Sequence, residues 1–461
     1  MDKKLIEWYE KYEQDARKVM HDIWEHPEYA MEESFAAATV EAFIKKHGFE
    51  TKIFNAMKPE AEDASPNTVY ATWGSGKPII GILGELDSLK GLGNAYVPYQ
   101  SPIPGCGHGC GHNLMAGSSV AAAAALKHAL EEEKIEGTII FIGCPAEETL
   151  NGKVWLAKGG YFDNLDLALI WHPGGRKLQF SPHTSAALTS ILFEYTGKAA
   201  HGVIAWEGRS ALDACELLNI GVNYLREHIT PDCSVHYVYE NGGGMPNVVP
   251  EHASVFYYIR SKDENNAALV ERVKNIAQAA AMMTETELKM TLRTHCYGNY
   301  PTATLNEYVA YVAKLIRPLT YEKEDYEFAR QIHKNFFGDE ILEDSEELLP
   351  TEIEPLSKEK LEQIPYERGS SDVGDVSQIL PTLQFGGLGE ITGSPAHHWT
   401  ITVAAGGPIG EKAAIYCSKI IAQSALDVFK NPELLKGFWE DFENGRKKRN
   451  LAPYEKCTFE I

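Results

Sequence analysis

Near the amino terminus the apolar residues Leu5, Trp8, Tyr12, Ala16, Val19 and Ile23 step by three or four, which predicts an amphipathic helix with one face on a core. A second helix is expected from about Ser34, a suitable cap, to Gly48, a suitable stop. The pattern then changes to short apolar runs: TVYATWG, KPIIGILGELD, EGTIIFIGCPAEE and LDLALIWHPG. Ala-rich LMAGSSVAAAAALKHAL, a helix by propensity, separates the second run from the third, and the shorter helical text GKVWLAKGGYF separates the third from the fourth. Runs that are apolar throughout and alternate with helices predict a mostly parallel sheet covered on both faces.

From Thr184 to about Cys296 the rhythm differs. ALTSILFEYTG reads as a strand, SALDACELLNIGVNYLREH as a helix, CSVHYVYE and ASVFYYIR as strands around NGGGMP, NNAALVERVKNIAQAAAMM as a helix and ELKMTLRTH as a strand. That βαββαβ order is the split pattern of a ferredoxin-like sandwich. The expected division is an α/β domain in two parts, 1–184 and 299–461, interrupted by a smaller ferredoxin-like domain at 185–298. After Tyr300 helical text resumes, and the acidic stretch DEILEDSEELLPTEIEPLSKEKLEQIP reads as a solvated excursion rather than core. PTLQFGGLG reads as a late strand of the first sheet, and GPIGEKAAIYCSKIIAQSALDVF as a helix near the end.

Composition narrows the partners. Among 461 residues, 43 Lys+Arg against 65 Asp+Glu leave a net charge of −22, which argues against nucleic acid and anionic membrane surfaces. An anionic substrate would need a local positive site. MDKKLIEWYEKYEQDARKVM lacks the apolar core and cleavage site of a secretory signal, no stretch approaches the length of a membrane span, and a cytoplasmic location is expected. The eight cysteines are scattered, unlike a disulfide framework, and Cys215, Cys233, Cys296, Cys417 and Cys457 read as buried thiols.

In an open α/β sheet, ligands collect beyond the carboxyl ends of the strands. Five chemical segments fall there: Glu85 and Asp87; GCGHGCGH at 105–112, with Cys106, His108, Cys110 and His112; Glu147 and Glu148; His172; and His397 with His398. Each alone has an ordinary structural reading, and their common location is what points to a site. Thiolate, imidazole and carboxylate suit zinc, with imidazole and carboxylate also serving manganese, and two divalent ions sharing a bridging ligand can clamp a water and a carbonyl oxygen. Glu147 and Glu148, as neighbours on an extended chain, would point opposite ways, one to metal and one to water. A redox pair at Cys106 and Cys110 is a rival reading of the glycine-rich stretch.

The run of GELDSL, GHGCGHN, CPAEE, LIWHP, GKAAHG, GGGMPNVVPEHA and GSPAHHW resembles the metal-dependent amidohydrolases grouped with aminoacylases, carboxypeptidase G and plant auxin-conjugate hydrolases, and over nearly the whole chain their aminobenzoyl-glutamate utilization branch. The resemblance implies two divalent ions, zinc or manganese, with Cys110 as bridging thiolate and His112, Glu148, His172 and His397 as further ligands. It implies Glu147 as general base, Asp87 as a kept catalytic residue and His108 in a pocket role. His201 of the inserted domain would reach the other subunit's site and stabilise an oxyanion, while Asn247 holds the substrate's carboxylate. Arg260 could serve that anion too, but its first reading is a structural salt bridge. Two departures stand out. Asn113 replaces the carboxylate after the ligand His, and Glu85 stands where some relatives place a ligand histidine.

The implied reaction is hydrolysis of an N-acyl or N-aroyl amino acid, above all p-aminobenzoyl-glutamate to p-aminobenzoate and glutamate. The alternatives are other N-acyl amino acids, auxin-type conjugates or dipeptides, or a non-catalytic partner subunit of such an enzyme. The implied assembly is a homodimer, or a heterodimer with a related subunit, joined through the inserted domain.

Overall fold

The structure, a computed structural model, describes residues 1–61, 63–338, 347–448 and 454–458. Helix α1 (Lys3–Glu25) is capped by Asp2, whose carboxylate accepts from Lys4 N at 2.8 Å, and it buries Leu5, Trp8, Ala16, Val19 and Ile23. Helix α2 (Ser34–Lys46) starts differently from the expectation, because Ser34 is already helical. Its free amides are met by Glu28, which accepts from Phe35 N at 2.9 Å and Ala36 N at 3.0 Å, a carboxylate at the positive end of the helix dipole. Gly48 follows with φ +86°.

Strands β1 (Glu50–Phe54), β2 (Thr68–Ser75), β3 (Ile79–Glu85), the short pair β4 (Leu89–Lys90) and β5 (Cys106–Gly107), β6 (Gly137–Cys144) and β7 (Leu167–Gln179) follow, with α3 (His112–Glu133) between β5 and β6 and α4 (Gly152–Lys158) between β6 and β7. A second unit then contributes β8 (Ala187–Thr196), α5 (Ala211–Leu225), β9 (Ser234–Asn241), β10 (His252–Ser261), α6 (Asp263–Thr284) and β11 (Glu287–Cys296), and β12 (Thr382–Gly389) returns to the first sheet. The order there is β1-β2-β6-β3-β7-β12. Strands β6, β3, β7 and β12 are parallel, while β2 runs antiparallel to β6 and β1 antiparallel to β2. Every residue of β6 is buried, as its unbroken apolar text requires of a strand covered on both faces. Helix α3 packs on β3 and against both α1 and the helix Pro408–Lys430. Its small residues permit this approach. A Cβ on Gly117 would fall 2.2 Å from Met20 Cγ.

The chain divides into two compact units: Met1–Pro182, Pro301–Ile364 and Ile379–Asn450 form the first, and His183–Tyr300, Pro365–Gln378 and Leu451–Ile461 the second. In the second, the antiparallel order β11-β8-β10-β9 is that of a ferredoxin-like sheet, and α5 and α6 cover it over a core of Ile191, Phe193, Leu218, Val222, Val255, Tyr257 and Val273. Strand β9 lies at the sheet's edge, and its Val238 is exposed.

A further expectation is corrected. The acidic stretch after Gly338 is not simply solvated. Its first part, 339–346, lies outside the described residues, but Leu349 is fully buried with Ile332, Ile391 and Trp399. Leu178 N donates to Glu352 O at 2.9 Å and Glu354 N to Leu178 O at 2.8 Å, so the segment docks on the end of β7. Among the described residues, no helix is long and apolar enough to cross a membrane.

Candidate metal centre

Three strands of the first unit and the start of α3 deliver side chains to one place. β3 ends at Glu85, two residues before Asp87; β6 ends at Cys144, before the turn holding Glu147 and Glu148; His172 lies within β7; and α3 begins at His112. Gly111 precedes α3 with φ +73°, and a Cβ there would meet Pro173 Cγ at 2.7 Å, so glycine is required on both counts. That turn aims Cys110 and His112 together.

Donor atoms of Cys110, His112 and His172 lie within 4.8 Å of one another, as do those of Cys110, Glu148 and His397. The two groups share Cys110. A third, Glu85, His112 and Glu147, overlaps the first at His112. Cys110 Sγ is 3.4 Å from His172 Nε2, and His172 Nδ1 is held by Pro173 O at 2.8 Å, which places the proton on Nδ1 and the lone pair on Nε2. Asp87 does the same for His112. Its Oδ1 is 2.9 Å from His112 Nδ1, and its Oδ2 accepts from Glu148 N at 2.9 Å. One carboxylate thus orients two donors, supplying the role that Asn113 leaves vacant. Asn113 instead donates to Met20 O and Ala405 O and ties the start of α3 to its neighbours.

Buried His112 Nε2 and Glu148 Oε1 have no hydrogen-bond partner, although His112 Nε2 is 3.2 Å from Glu85 Oε2 and Glu148 Oε2 is 3.3 Å from His397 Nε2. Buried polar atoms left without partners beside a thiol are what a cation satisfies, with His112 giving up its Nε2 proton to the ion. The field agrees. Burial opposes charge on His112, yet Cys110, Asp87 and Glu85 hold its pKa well above the ordinary imidazole range, and the same negative surroundings attract a divalent ion. Burial pushes the Cys110 thiol up, so its thiolate needs a neighbouring cation. The donor set fits divalent metal.

Glu85 is held otherwise. Its Oε1 pairs with Lys153 Nζ at 2.6 Å with both side chains fully buried; burial opposes its charge, but Lys153, His112 and His172 bring its pKa below the usual carboxylate range. Lys153 was missed by sequence reasoning, although its spacing to buried Leu156 and Ala157 places it on the inward face of α4. Glu147 and Glu148 lie in a turn rather than on extended chain, with Ala146 at φ +54° before them, so the turn and not strand alternation sets their directions.

Cys106 and His108 belong to none of the donor groups found among the described residues. His108 is buried with Nε2 3.2 Å from Ile23 O, and burial and His112 push its pKa down to about 3. His398 caps the helix Trp399–Ala405 through Thr400, and its ring lies tilted 4.4 Å from that of Phe336. His397 is half exposed and has φ +54°. In the second unit, His201 and Asn247 come together: Gly202 N donates to Asn247 O at 2.7 Å, and His201 bridges to Val248. His201 Nδ1 accepts from Val203 N at 3.1 Å, so in the neutral ring the proton sits on Nε2. Arg260 donates to Ser370 Oγ at 3.2 Å and lies over the Tyr258 ring, in place of the structural salt bridge expected of it; among the described residues it has no carboxylate within pairing distance.

An α/β unit interrupted by a second unit, with two donor triads sharing a thiol and a further carboxylate beside them, fits a metal-dependent hydrolase. The chain belongs to peptidase family M20/M25/M40, whose model matches residues 81–404. It is 33% identical over 442 residues to a subunit of the p-aminobenzoyl-glutamate hydrolase of Escherichia coli, covering 90% of this chain and 89% of that one. It is 28% identical over 433 residues to the Xaa-Arg dipeptidase of Mus musculus, covering 91% and 87%. Its fold is similar to that of a dinuclear metal-binding peptidase of the M20 family from Bacillus subtilis, with a TM-score of 0.57 at 16% identity over 91% of this chain and 99% of the other.

Proposed function

We propose that this protein hydrolyses the amide bond of an N-aroyl amino acid, p-aminobenzoyl-glutamate, to p-aminobenzoate and glutamate. The observation that carries the reading is the pair of donor triads sharing Cys110, with Glu147 next in chain to the donor Glu148. Cys110, His112 and His172 would hold one zinc or manganese ion, and Cys110, Glu148 and His397 the other. Bound there, the ions supply Lewis acidity that polarises the amide carbonyl and acidifies a water. Glu147 takes the water's proton and returns it to the leaving nitrogen. Asp87 keeps His112 in its donor tautomer, and Lys153 balances the buried charge of Glu85.

His201 presents Nε2–H, the donor a developing oxyanion needs. Asn247, beside it in the same unit, would meet the carboxylate of the leaving amino acid, with Arg260 as a further cation. His201 belongs to the unit that does not carry the donor set, and the exposed edge of β9, with Val238, Ile220 and Tyr224 exposed on that unit, offers a pairing surface. The reading therefore includes a dimer, of identical or related chains, in which one protomer's inserted unit completes the other's site. The Escherichia coli relative is named as one subunit of its hydrolase, which supports such a partner.

A buried carboxylate must be paired or hydrogen-bonded, so selectivity falls on the amino-acid side of the amide. Release of the free amino acid from p-aminobenzoyl-glutamate is expected to exceed that from its alanine and amide counterparts. Equal rates for all three would remove the support for glutamate selection.

A further inference from the structure

Glu33, in the loop between α1 and α2, is fully buried, and among the described residues it has no cationic partner. Its Oε1 accepts two amides, from Met31 N at 2.9 Å and from Ala146 N at 2.8 Å. Both donors are non-glycine residues in the left-handed region, Met31 at φ +69° and Ala146 at φ +54°. Such residues cost on the order of 1–2 kcal/mol each and persist where their surroundings over-determine them. Ala146 immediately precedes Glu147. On the far side of Glu147, Glu148 N is held by Asp87 Oδ2 at 2.9 Å, and Leu150 N closes the turn on Glu147 O at 2.7 Å. The backbone of Glu147 is thus fixed from both sides by carboxylates more than fifty residues away in sequence.

We propose that Glu33 is a positioning residue for the reaction, which holds the left-handed Ala146 through its amide and so aims Glu147; this rests on the reading of Glu147 as the base. What the turn requires is an acceptor of the right length. A glutamine oxygen can accept the same two amides, whereas an apolar side chain of similar volume cannot. Burial, together with nearby Asp87, raises the pKa of Glu33 well above the usual carboxylate range, consistent with a neutral acceptor. Because Glu148 has its own tether to Asp87, the metal donors remain when the Ala146 tether is lost.

The test compares Glu33→Gln and Glu33→Met in the metal-loaded, full-length protein by steady-state kinetics, metal analysis and hydrogen exchange of peptides spanning residues 145–151. Glu33→Met is expected to lower kcat about 100-fold, the order of loss for a misplaced reacting group, with KM changed less than about threefold. Its metal content should match wild type, and exchange at 145–151 should quicken. Glu33→Gln should stay near wild type in all four readings. If Glu33→Met fails to fold, Glu33→Asp, which withdraws the carboxylate by one methylene, takes its place with the same expectation. Unchanged kcat and exchange, metal lost in step with kcat, or a Glu33→Gln variant as impaired as Glu33→Met would each overturn the proposal. If the wild-type enzyme does not hydrolyse p-aminobenzoyl-glutamate, the function reading fails, while the exchange comparison still decides the role of Glu33.

Discussion

Lys153→Met removes the cation from a pair whose two side chains are fully buried, 2.6 Å apart. Glu85 is then left with His112 Nε2 at 3.2 Å as its neighbour, in a geometry that forms no hydrogen bond. Breaking a buried pair by deleting one partner costs about 3–5 kcal/mol, because the survivor keeps its desolvation penalty without its Coulomb partner. The proximity of His112 argues for the lower end, about 3 kcal/mol. Urea unfolding of metal-free protein measures this without the binding energy of an ion. Adding Glu85→Gln removes the stranded charge, so the double variant should be more stable than Lys153→Met alone, with a coupling energy of about 2 kcal/mol or more. A Lys153→Met protein within about 1 kcal/mol of wild type, or a coupling energy below about 0.5 kcal/mol, would show that the Glu85–Lys153 pair does not carry this energy.

Cys110→Ser is expected to lower bound metal by elemental analysis, since both triads lose their shared donor, whereas Cys106→Ser should leave the stoichiometry intact; equal loss in both would show that Cys106 also binds. Asp375 is buried where it accepts from Tyr297 N and Tyr454 Oη, and burial pushes its pKa up to about 8, so its contribution to stability is fully present below the unfolded-state value near 4 and is lost as pH rises to about 8. Asp375→Asn should therefore gain on wild type by up to about 1.4 kcal/mol per pH unit across that window and no further above it, as read from urea midpoints; a pH-independent difference would contradict this. A heterodimer of His201→Ala and Glu147→Gln chains, purified through two tags, should regain about half of wild-type activity, as one of its two sites keeps both residues. A heterodimer as inactive as either parent would rule out completion of the site by the partner.

Much of the fold was legible because burial imposes a period. The three- and four-residue steps of α1 and the unbroken apolar text of β6 each encode how many faces are covered. The βαββαβ order was equally plain. Strand direction was not, since the β2 text is apolar whichever way it runs, and its antiparallel pairing with β6 depends on tertiary placement. The burial of Leu349 is not legible, because its acidic neighbours dominate the local pattern while the packing that buries it comes from Ile332, Ile391 and Trp399. In the site, the residues at strand ends could be named in advance. What sequence did not disclose was how they are held: Asp87 spanning His112 and Glu148, Lys153 under Glu85, and Glu33 on the Ala146 amide, all contacts between residues far apart in the chain.

The role proposed for Glu147 is that of a base beside a metal centre it does not itself bind. Release of p-aminobenzoate from p-aminobenzoyl-glutamate, compared between wild type and Glu147→Gln at equal measured metal content, tests it most directly. The expected result is two ions per chain in both proteins and turnover reduced by about 100-fold or more in the variant, whose neutral amide cannot accept the water's proton. Turnover by Glu147→Gln at the wild-type rate with the same metal content would contradict it.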